Sequence, residues 1–458
     1  MCGVFGIRSE ERDVSRLAYF GLFALQHRGQ ESAGIAVSEG GHLTVLRDMG
    51  LVAQVFNEQQ LQALPGEVAI GHTRYSTTGA NRWANAQPLV HHGRERTVAL
   101  GHNGNLVNVE ELRAELTADG VKLASGSDSE VIAALVARDP APLPEAVANA
   151  MRRLDGAYSV TAVSEGVLVA FRDPFGFRPL SLGRIGEDWV VASETCALDL
   201  VGAEVVRDVQ PGEVVWVDDE GLHAAQARPG GTNALCIFEH VYFARPDSRL
   251  AGVEVHGARL RMGEALAREA PVEADLVIGI PDSGTPAAIG YSKASGIPFN
   301  EALIKNRYVA RTFIQPDQEM REQGIRLKFN PLDEVEGRRI VVVDDSIVRG
   351  NTMRQLVQML AGAGAAEVHV RISSPPVVSP CFYGIDMADE DELAAAHRSV
   401  EEMREHVGAT SLHYLSVDGM QAATQLPEDA VCRACFTRQY PTSVPRKVEK
   451  HRFETTPA

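Results

Sequence analysis

The second residue of the chain is a cysteine, and a thiol becomes a strong nucleophile once its proton is removed. If Met1 is removed, the free α-amino group lies on the same residue as that thiol. An α-amine has a pKa of about 7.7–8.0 and a thiol one of about 8.5, so the two groups of Cys2 can exchange a proton near neutral pH. Such a nucleophile needs no histidine as its base, but a cysteine at this position is more often incidental than catalytic.

Polar residues downstream have side chains that suit the charged groups of a substrate. Arg74 follows a predicted strand and can hold a carboxylate through two hydrogen bonds. Asn103 and Gly104 can present a side-chain amide and a backbone N–H to an oxyanion. Asp128 precedes a predicted helix and offers a carboxylate to an ammonium group. Taken singly, each has a favoured structural explanation, since Asn-Gly is a common hairpin turn and Asp128 or Ser129 can cap a helix.

Taken together and in order, five segments resemble the N-terminal-nucleophile glutaminase domain of amidotransferases. They are Cys2–Gly6, His27–Gly34, Gly71–Thr77, Gly101–Leu106 and Ser127–Glu130. The resemblance implies a four-layer αββα domain over residues 2–231, in which Cys2 forms a glutamyl thioester.

The same resemblance implies a role for each polar residue in that domain. Arg74 and Asp128 bind the α-carboxylate and the α-amine of glutamine. The Asn103 side chain and the Gly104 N–H form the oxyanion hole.

The stretch from Arg339 to Thr352 is the most informative part of the second half. A predicted buried strand ends in Asp344 and Asp345, and a small polar loop then opens a helix. Backbone N–H groups at a helix start suit a phosphate, and paired acids suit ribose hydroxyls or a divalent metal. A plain strand followed by a capped helix explains Ser346 but leaves the paired acids unexplained.

This stretch resembles the signature loop of type I phosphoribosyltransferases, which bind phosphoribosyl pyrophosphate with magnesium. The resemblance places magnesium near Asp344, Asp345 and Ser283, the last within a pyrophosphate loop from Pro281 to Thr285. The residues expected around the 5′-phosphate are Ser346, Ile347, Val348, Arg349, Gly350, Asn351 and Thr352.

A basic, glycine-interrupted segment runs from Lys305 through Arg307 to Lys328 in an otherwise acidic protein. A solvated surface loop would explain it. The resemblance instead implies a mobile flap that binds phosphoribosyl pyrophosphate and excludes water from it.

Four cysteines form a possible metal site, with Cys432 and Cys435 as a CxxC pair and Cys236 and Cys381 far upstream. The residues alone fit zinc, a redox pair or an iron–sulfur cluster, with zinc slightly favoured. One branch of the amidotransferase family carries a 4Fe–4S cluster on four cysteines in matching contexts, so the resemblance predicts this cluster. Members of that branch often have a propeptide, whereas only Met1 precedes the nucleophile here, so aminopeptidase trimming should suffice. Cys196 fits none of these contexts and is expected to be a buried thiol.

Composition excludes several classes of protein. The 458 residues carry 44 basic and 61 acidic side chains, a net charge of −17, which argues against nucleic-acid or anionic-membrane binding. No apolar run approaches the ~18 residues of a spanning helix, and the start lacks a basic signal-peptide region. Six cysteines in so long a chain argue against a disulfide scaffold, and the cytoplasm is the expected location.

The predicted elements divide the chain into two halves. Short alternating strands and three helical stretches before about residue 230 predict a layered α/β or α+β domain. A linker is predicted at residues 227–233. Beyond it, apolar strands at 274–280, 339–343 and 367–372 alternate with helices and predict a parallel sheet with ligands at the strand C-terminal ends. The chain from Asp389 onwards is predicted to be helical, ending in an irregular tail.

The two halves together resemble the family of glutamine-dependent phosphoribosyl pyrophosphate amidotransferases, which begin purine synthesis. The resemblance implies a phosphoribosyltransferase domain over residues 232–458, purine nucleotides as feedback inhibitors and a homotetramer or dimer. Another ammonia acceptor is an alternative, but the signature from Asp344 to Thr352 argues against it. A regulator that senses phosphoribosyl pyrophosphate is another, but it would not need Cys2, Arg74, Asn103 and Asp128.

Overall fold

The computed structural model describes residues 1–76, 79–231, 233–306, 328–387 and 389–445. Within them, the first half contains two stacked sheets, with strand orders β11-β9-β10-β1-β4-β2-β3 and β13-β12-β8-β7-β6-β5. Their strands are β1 (Gly3–Arg8), β2 (Ser32–Glu39), β3 (His42–Met49), β4 (Val68–Arg74), β5 (Leu89–His92), β6 (Thr97–Leu106), β7 (Gly156–Ser164), β8 (Val167–Arg172), β9 (Ser181–Ile185), β10 (Asp188–Ala192), β11 (Glu204–Asp208), β12 (Glu213–Asp218) and β13 (Gly221–Gln226).

Helices cover the outer face of each sheet and complete an αββα arrangement. They are α1 (Val14–Ala24), α2 (Val52–Val55), α3 (Glu58–Gln62), α4 (Val109–Ala118), α5 (Asp128–Arg138), α6 (Leu143–Met151) and α7 (Thr195–Leu200). On α1, Val14, Ala18 and Leu22 recur every four residues and are buried, because this spacing lines one helical face against the sheet. Every residue of β4 is buried, because α1 covers one face of its sheet and the second sheet covers the other.

The second half is built on a parallel sheet of order β17-β20-β21-β22. The described part of the second half as a whole contains the strands β14 (Leu235–Cys236), β15 (Arg249–Leu250), β16 (Val253–Glu254), β17 (Leu276–Gly279), β18 (Leu303–Lys305), β19 (Phe329–Pro331), β20 (Arg339–Asp344), β21 (Glu367–Ile372), β22 (Ser411–Tyr414) and β23 (Val431–Cys432). Its helices are α8 (Val255–Glu269), α9 (Thr285–Ser295), α10 (Asn351–Gly362), α11 (Ala394–His397), α12 (Val400–Val407), α13 (Val417–Thr424) and α14 (Ala434–Thr437).

One prediction about this half is wrong. The chain beyond Asp389 is not helical throughout, since β22 joins the parallel sheet beside β21. Four residues are too few to show an alternating pattern, and the strand depends on its pairing with β21, about forty residues upstream.

The two halves meet in a buried interface that includes the start of the chain. Met1 is 1% exposed and packs in the apolar core of the second half, beside Ile237 and Phe238. The strand β14 then pairs with β23 from the far end of the chain. Among the described residues, no helix is long and apolar enough to cross a membrane.

Candidate active site

A narrow pocket opens beside Cys2, which lies just before β1 and is 7% exposed. The thiol Sγ is 3.5 Å from the carbonyl oxygen of Tyr75. The other residues that line the pocket are Arg74, Gln87, His102, Gly104, Ser127, Asp128 and Ser129. The structure therefore brings Cys2 together with three residues predicted to act with it, although they are distant in sequence.

Asn103 and Gly104 lie within β6, paired with β7, so the hairpin-turn alternative is wrong. The Oδ1 atom of Asn103 accepts a hydrogen bond from the backbone nitrogen of Cys2 at 3.2 Å. Its Nδ2 atom is buried and has no hydrogen-bond partner among the described residues. Since an unpaired buried donor costs about 1–3 kcal/mol, this amide is available to a developing oxyanion.

Asp128 is the first residue of α5, but it does not cap the helix. The N-cap is Ser127, whose hydroxyl accepts from the backbone nitrogen of Ser129 at 3.2 Å. The Asp128 Oδ2 atom accepts from the backbone nitrogen of Leu106 at 3.0 Å. Its carboxyl group therefore lines the pocket and is held at the end of β6, a position that suits a substrate ammonium group.

Arg74 ends β4, as predicted, and its side chain is buried. Its guanidinium lies 3.5 Å from the Glu31 carboxylate and donates to the Gly79 and Ala80 carbonyl oxygens at 3.3 Å each. A substrate carboxylate would share this cation with Glu31. Thr77, in the same predicted segment, lies outside the described residues.

Asp344 and Asp345 stand at the C-terminal end of β20, as predicted. The Ser283 hydroxyl donates to Asp345 Oδ2 at 2.5 Å, and the Ser346 hydroxyl donates to Asp345 Oδ1. Burial raises the pKa of both carboxyls, and the charge of Asp345 raises the pKa of Asp344 further. Buried, mutually repelling carboxylates with a nearby hydroxyl favour a bound cation, and hard oxygen donors suit magnesium.

The loop after these acids leads into the N-terminus of α10. Gly350 has a φ of +81° and directly precedes Asn351, the first residue of that helix. The Ile347 side chain is buried in one apolar core of this half and Val348 packs against another, whereas Arg349 pairs with Glu392. The loop therefore ends directly at the helix N-terminus, where a phosphate is favoured.

Only the two ends of the predicted flap lie in the described part of the chain. Lys305 Nζ donates to Asp282 Oδ2 at 2.5 Å, which places this cation beside the predicted pyrophosphate loop. The strands β18 and β19 pair antiparallel, and Asn306 donates to the Lys328 carbonyl oxygen at 2.7 Å. Arg307 lies outside the described residues.

The four cysteines of the predicted cluster converge between the two halves. Cys236 lies opposite Cys432 where β14 pairs with β23. Burial raises the pKa of Cys435 well above its usual value, and the charges of Cys236, Cys381 and Cys432 raise it further. No group of three or more His, Cys, Asp or Glu residues in the described ranges is arranged to hold a metal ion. The structure thus brings the thiols into one region without showing a formed site.

Comparisons with known proteins agree with this two-part geometry. Family models of a glutamine amidotransferase domain and a phosphoribosyl transferase domain match residues 72–200 and 261–373. The amidophosphoribosyltransferase of Mycobacterium tuberculosis is 53% identical, over 97% of this chain and 87% of the relative. The chain belongs to the amidophosphoribosyltransferase family. The Bacillus subtilis amidophosphoribosyltransferase is 47% identical, over 97% of this chain and 94% of the relative.

Two solved structures confirm the predicted fold class. Glutamine phosphoribosylpyrophosphate amidotransferase from B. subtilis, complexed with ADP and GMP, has a TM-score of 0.92 at 46% identity, covering 98% of this chain and 100% of that chain. A structure described as the allosteric regulatory enzyme of purine biosynthesis has a TM-score of 0.93 at 46% identity and covers 99% of each chain. The predicted enzyme class is confirmed as well.

Some residues of the pocket were not predicted from the sequence. Gln87 lines the pocket, and its side chain donates to Ser129 Oγ at 3.0 Å and accepts from the His102 backbone nitrogen at 2.8 Å. A lone glutamine before a proline gives no chemical pattern to detect. His102 and Ser129 lie inside predicted segments, and only their place beside the pocket shows that they support it.

Arg28 was also missed, although it lies in the predicted segment His27–Gly34. Its Nε atom donates to the Cys2 carbonyl oxygen at 2.8 Å, and its other nitrogens pair with Glu194 and with Glu239 of the second half. All three charged side chains have 0% exposure. Burial lowers the pKa of Arg28, but the charges of Glu239 and Glu194 outweigh burial and raise it. The backbone of the nucleophile is therefore held by a buried ion network that joins the two halves.

Replacing Arg28 with methionine should destabilise the protein strongly, because the buried carboxylates of Glu194 and Glu239 each lose a charged partner. The His27 ring remains beside the first, and Arg178 remains 3.4 Å from the second. Removing one partner of a buried ion network typically costs about 3–5 kcal/mol. The shift of the urea unfolding midpoint measures the loss. Arg16→Met is the matched control, since Arg16 pairs with Asp13 and Glu58 on the surface, and its midpoint should barely move. Equal shifts for the two variants would show that the buried network adds nothing.

Proposed function

We propose that this chain hydrolyses glutamine at Cys2 and transfers the ammonia to phosphoribosyl pyrophosphate. The products are 5-phosphoribosylamine, glutamate and pyrophosphate, the first committed step of purine biosynthesis. The proposal rests on one observation. Cys2, Arg74 and Asp128 line one pocket, and the neighbouring Asn103 has an Nδ2 atom with no hydrogen-bond partner in the described part of the chain. The family to which the chain belongs supports both half-reactions.

The first half-reaction begins once Met1 has been removed. The Cys2 thiol passes its proton to its own α-amine, which Asn103 Oδ1 orients through the contact it makes with that nitrogen. Sγ then attacks the γ-carbonyl carbon, and the Asn103 amide with the Gly104 N–H stabilises the oxyanion. The α-amine returns its proton to the leaving nitrogen, so ammonia departs and a glutamyl thioester remains. Water hydrolyses the thioester to glutamate and restores the thiol.

The second half-reaction takes place at the C-terminal end of the parallel sheet. Asp344 and Asp345 hold the ribose and, with Ser283, would hold a magnesium ion, which would supply positive charge to the leaving pyrophosphate. The backbone from Ser346 to Thr352 binds the 5′-phosphate at the start of α10. Lys305, Arg307 and Lys328 bind the phosphates from the flap. Ammonia attacks the ribose C1 carbon, the bond to pyrophosphate breaks, and the ammonium product loses a proton.

We propose further that Cys236, Cys381, Cys432 and Cys435 hold a 4Fe–4S cluster. Their convergence at the paired strands β14 and β23 supports it, because a cluster there would fasten the end of the chain to the start of the second half. Thiolates are the ligands that such clusters take, and binding would offset the cost of ionising buried thiols.

If the cluster is present, protein purified without oxygen should contain about four iron and four sulfide ions per chain. Cys432→Ala should lose them, together with the visible absorption of the cluster. Cys196→Ala is the control, because Cys196 is buried elsewhere, with its Sγ 3.8 Å from Glu194. Protein that contains stoichiometric zinc, with no iron or sulfide, would refute the cluster.

Several further expectations belong to the same proposal. Purine nucleotides act as feedback inhibitors, an expectation supported by the ADP and GMP in the B. subtilis structure. The active protein is a homotetramer or dimer, works in the cytoplasm and binds neither nucleic acid nor membranes. The boundary between its domains lies at residues 231–232.

An acceptor assay tests the proposal against its alternatives. Purified protein is given glutamine with phosphoribosyl pyrophosphate, fructose 6-phosphate or aspartate, and glutamate and pyrophosphate are measured. Only phosphoribosyl pyrophosphate should stimulate glutamate release, with pyrophosphate as co-product. Stimulation by another acceptor would favour a different amidotransferase. Binding of phosphoribosyl pyrophosphate without any turnover would favour a regulator.

A further inference from the structure

A loop from the second half presses against the strand that carries the proposed oxyanion hole. This loop, residues 382–384, directly follows Cys381. The Asn105 side-chain amide on β6 donates to the Phe382 carbonyl oxygen at 3.0 Å. Gly384 lies so close to Gly104 that a Cβ on Gly384 would be 2.8 Å from the Gly104 carbonyl carbon and 3.0 Å from its Cα. Real Cβ atoms essentially never approach backbone this closely, so the two backbones touch.

The 382–384 loop is firmly anchored on its other side. The Tyr383 ring stacks on Phe177, with centroids 4.0 Å apart and an interplanar angle of 15°. The Tyr383 carbonyl oxygen accepts from Arg178 Nε at 2.8 Å, and the Tyr383 backbone nitrogen donates to Cys381 Sγ at 3.4 Å. Tyr383 and Arg178 are both buried. These contacts therefore hold the 382–384 loop in a fixed position.

Gly104 contacts both the 382–384 loop and the neighbouring strand β7. A Cβ on Gly104 would lie 2.0 Å from the Ala157 carbonyl oxygen on β7, so that strand touches it from one side. Gly384 also contacts Gly104, and its own φ of +100° favours glycine. Gly384 approaches the Cα and the carbonyl group of Gly104, and the Gly104 N–H is on the nitrogen bonded to that Cα. A shift of this Cα would therefore move the N–H as well.

We infer that Gly384, in the phosphoribosyltransferase half, is a positioning residue for the glutaminase reaction. Its missing side chain lets the 382–384 loop hold Gly104 where its N–H meets the oxyanion. Residues 382–384 do not line the pocket beside Cys2, so the loop controls the rate of thioester formation and leaves substrate binding to Arg74 and Asp128. This role rests on the proposed function, which assigns Gly104 to the oxyanion hole.

Gly384→Ala tests the inference through two activities of one protein. The new methyl group must displace the Gly104 backbone, and losing one oxyanion donor costs about 10²–10³ in kcat, so a drop of about 10-fold or more is expected with glutamine. The glutamine KM should change less than about threefold, because binding residues are untouched. Synthesis from added ammonia should match the wild type.

Gly296→Ala is the matched control for backbone strain. Gly296 also lies in the second half and has a φ of +76°, but a Cβ there would have no heavy atom within 4 Å. It should keep both activities. Asn105→Ala weakens the same contact by removing the hydrogen bond from β6 to Phe382. It should lower the glutamine-dependent kcat and leave the ammonia-dependent activity unchanged. This variant keeps the test decisive if Gly384→Ala does not fold.

The outcomes separate the inference from the proposed function. Equal losses of glutamine- and ammonia-dependent activity, or no loss, in Gly384→Ala and Asn105→Ala would overturn the positioning role. Asn103→Ala, measured alongside, reports on the oxyanion hole itself. If Asn103→Ala keeps full glutamine activity, the site assignment fails. If it loses that activity while the two loop variants do not, only the inference fails.

Discussion

Replacing Cys2 with alanine is expected to abolish synthesis of 5-phosphoribosylamine from glutamine and to leave synthesis from ammonia intact. Without the thiol no thioester forms, and loss of a nucleophile lowers kcat by at least about 10³-fold. Added ammonia bypasses this step, because the phosphoribosyl site lies on different strands in the other half of the chain. Pyrophosphate release with each nitrogen source measures both activities.

Cys196→Ala is the matched control for this variant. Cys196 is a buried cysteine of the same half, but it does not line the pocket, so both activities should persist. The intact mass of the wild-type protein must also show that Met1 is absent. Failure of ammonia to rescue Cys2→Ala would refute the division into two sites, and an active enzyme that retains Met1 would refute the α-amine as base.

Asp345→Asn is expected to abolish synthesis from both nitrogen sources. Asp345 contacts Ser283 and follows Asp344 at the end of β20, so its loss removes a charge from the proposed magnesium and ribose site. A metal that polarises a reacting group contributes several kcal/mol, so a fall of at least about 100-fold is expected with glutamine and with ammonia. Asp275→Asn is the control, because Asp275 lies at the opposite end of this sheet, paired with Arg339.

The same variant should not destabilise the metal-free protein. Burial raises the pKa of Asp345, so the folded chain favours the neutral carboxyl and loses stability as pH rises above its usual pKa of about 3.9. Asparagine removes that cost, so in a chelator at pH 7 the variant should unfold at the same or a higher urea concentration. Retained ammonia-dependent activity, or clear destabilisation with the activity loss, would contradict the assigned role.

The parts of the site found from sequence are those whose residues lie in one short segment with a distinctive chemistry. Asp344 and Asp345 stand together at a strand end, where two adjacent carboxylates repel each other and suit a bound cation. Asn103 and Asp128 became informative only as members of an ordered set, because each alone fits a turn or a cap. The structure corrected both alternatives, since Asn103 lies inside a strand and Ser127 is the cap.

The parts that sequence did not show depend on contacts between distant residues. Arg28 and Glu239 are 211 residues apart in the sequence, and no local sequence pattern indicates that they form a buried ion pair between the two halves. Gly384 contacts Gly104 across an even longer separation, and a lone glycine in a loop has many explanations. The strand β22 is four residues long and exists because β21 offers it a free edge. In each case the role of the residue depends on contacts made in the folded chain and cannot be predicted from the neighbouring sequence.

The ratio of glutamate to pyrophosphate tests the central claim most directly. Wild-type protein is incubated with saturating glutamine and phosphoribosyl pyrophosphate, and both products are measured over the same time course. If ammonia from Cys2 is used at the site around Asp344 and Asp345, the two products should form in a ratio of about one to one, as the proposed reaction requires. Glutamate release without pyrophosphate, or pyrophosphate release that does not depend on glutamine or ammonia, would contradict the account.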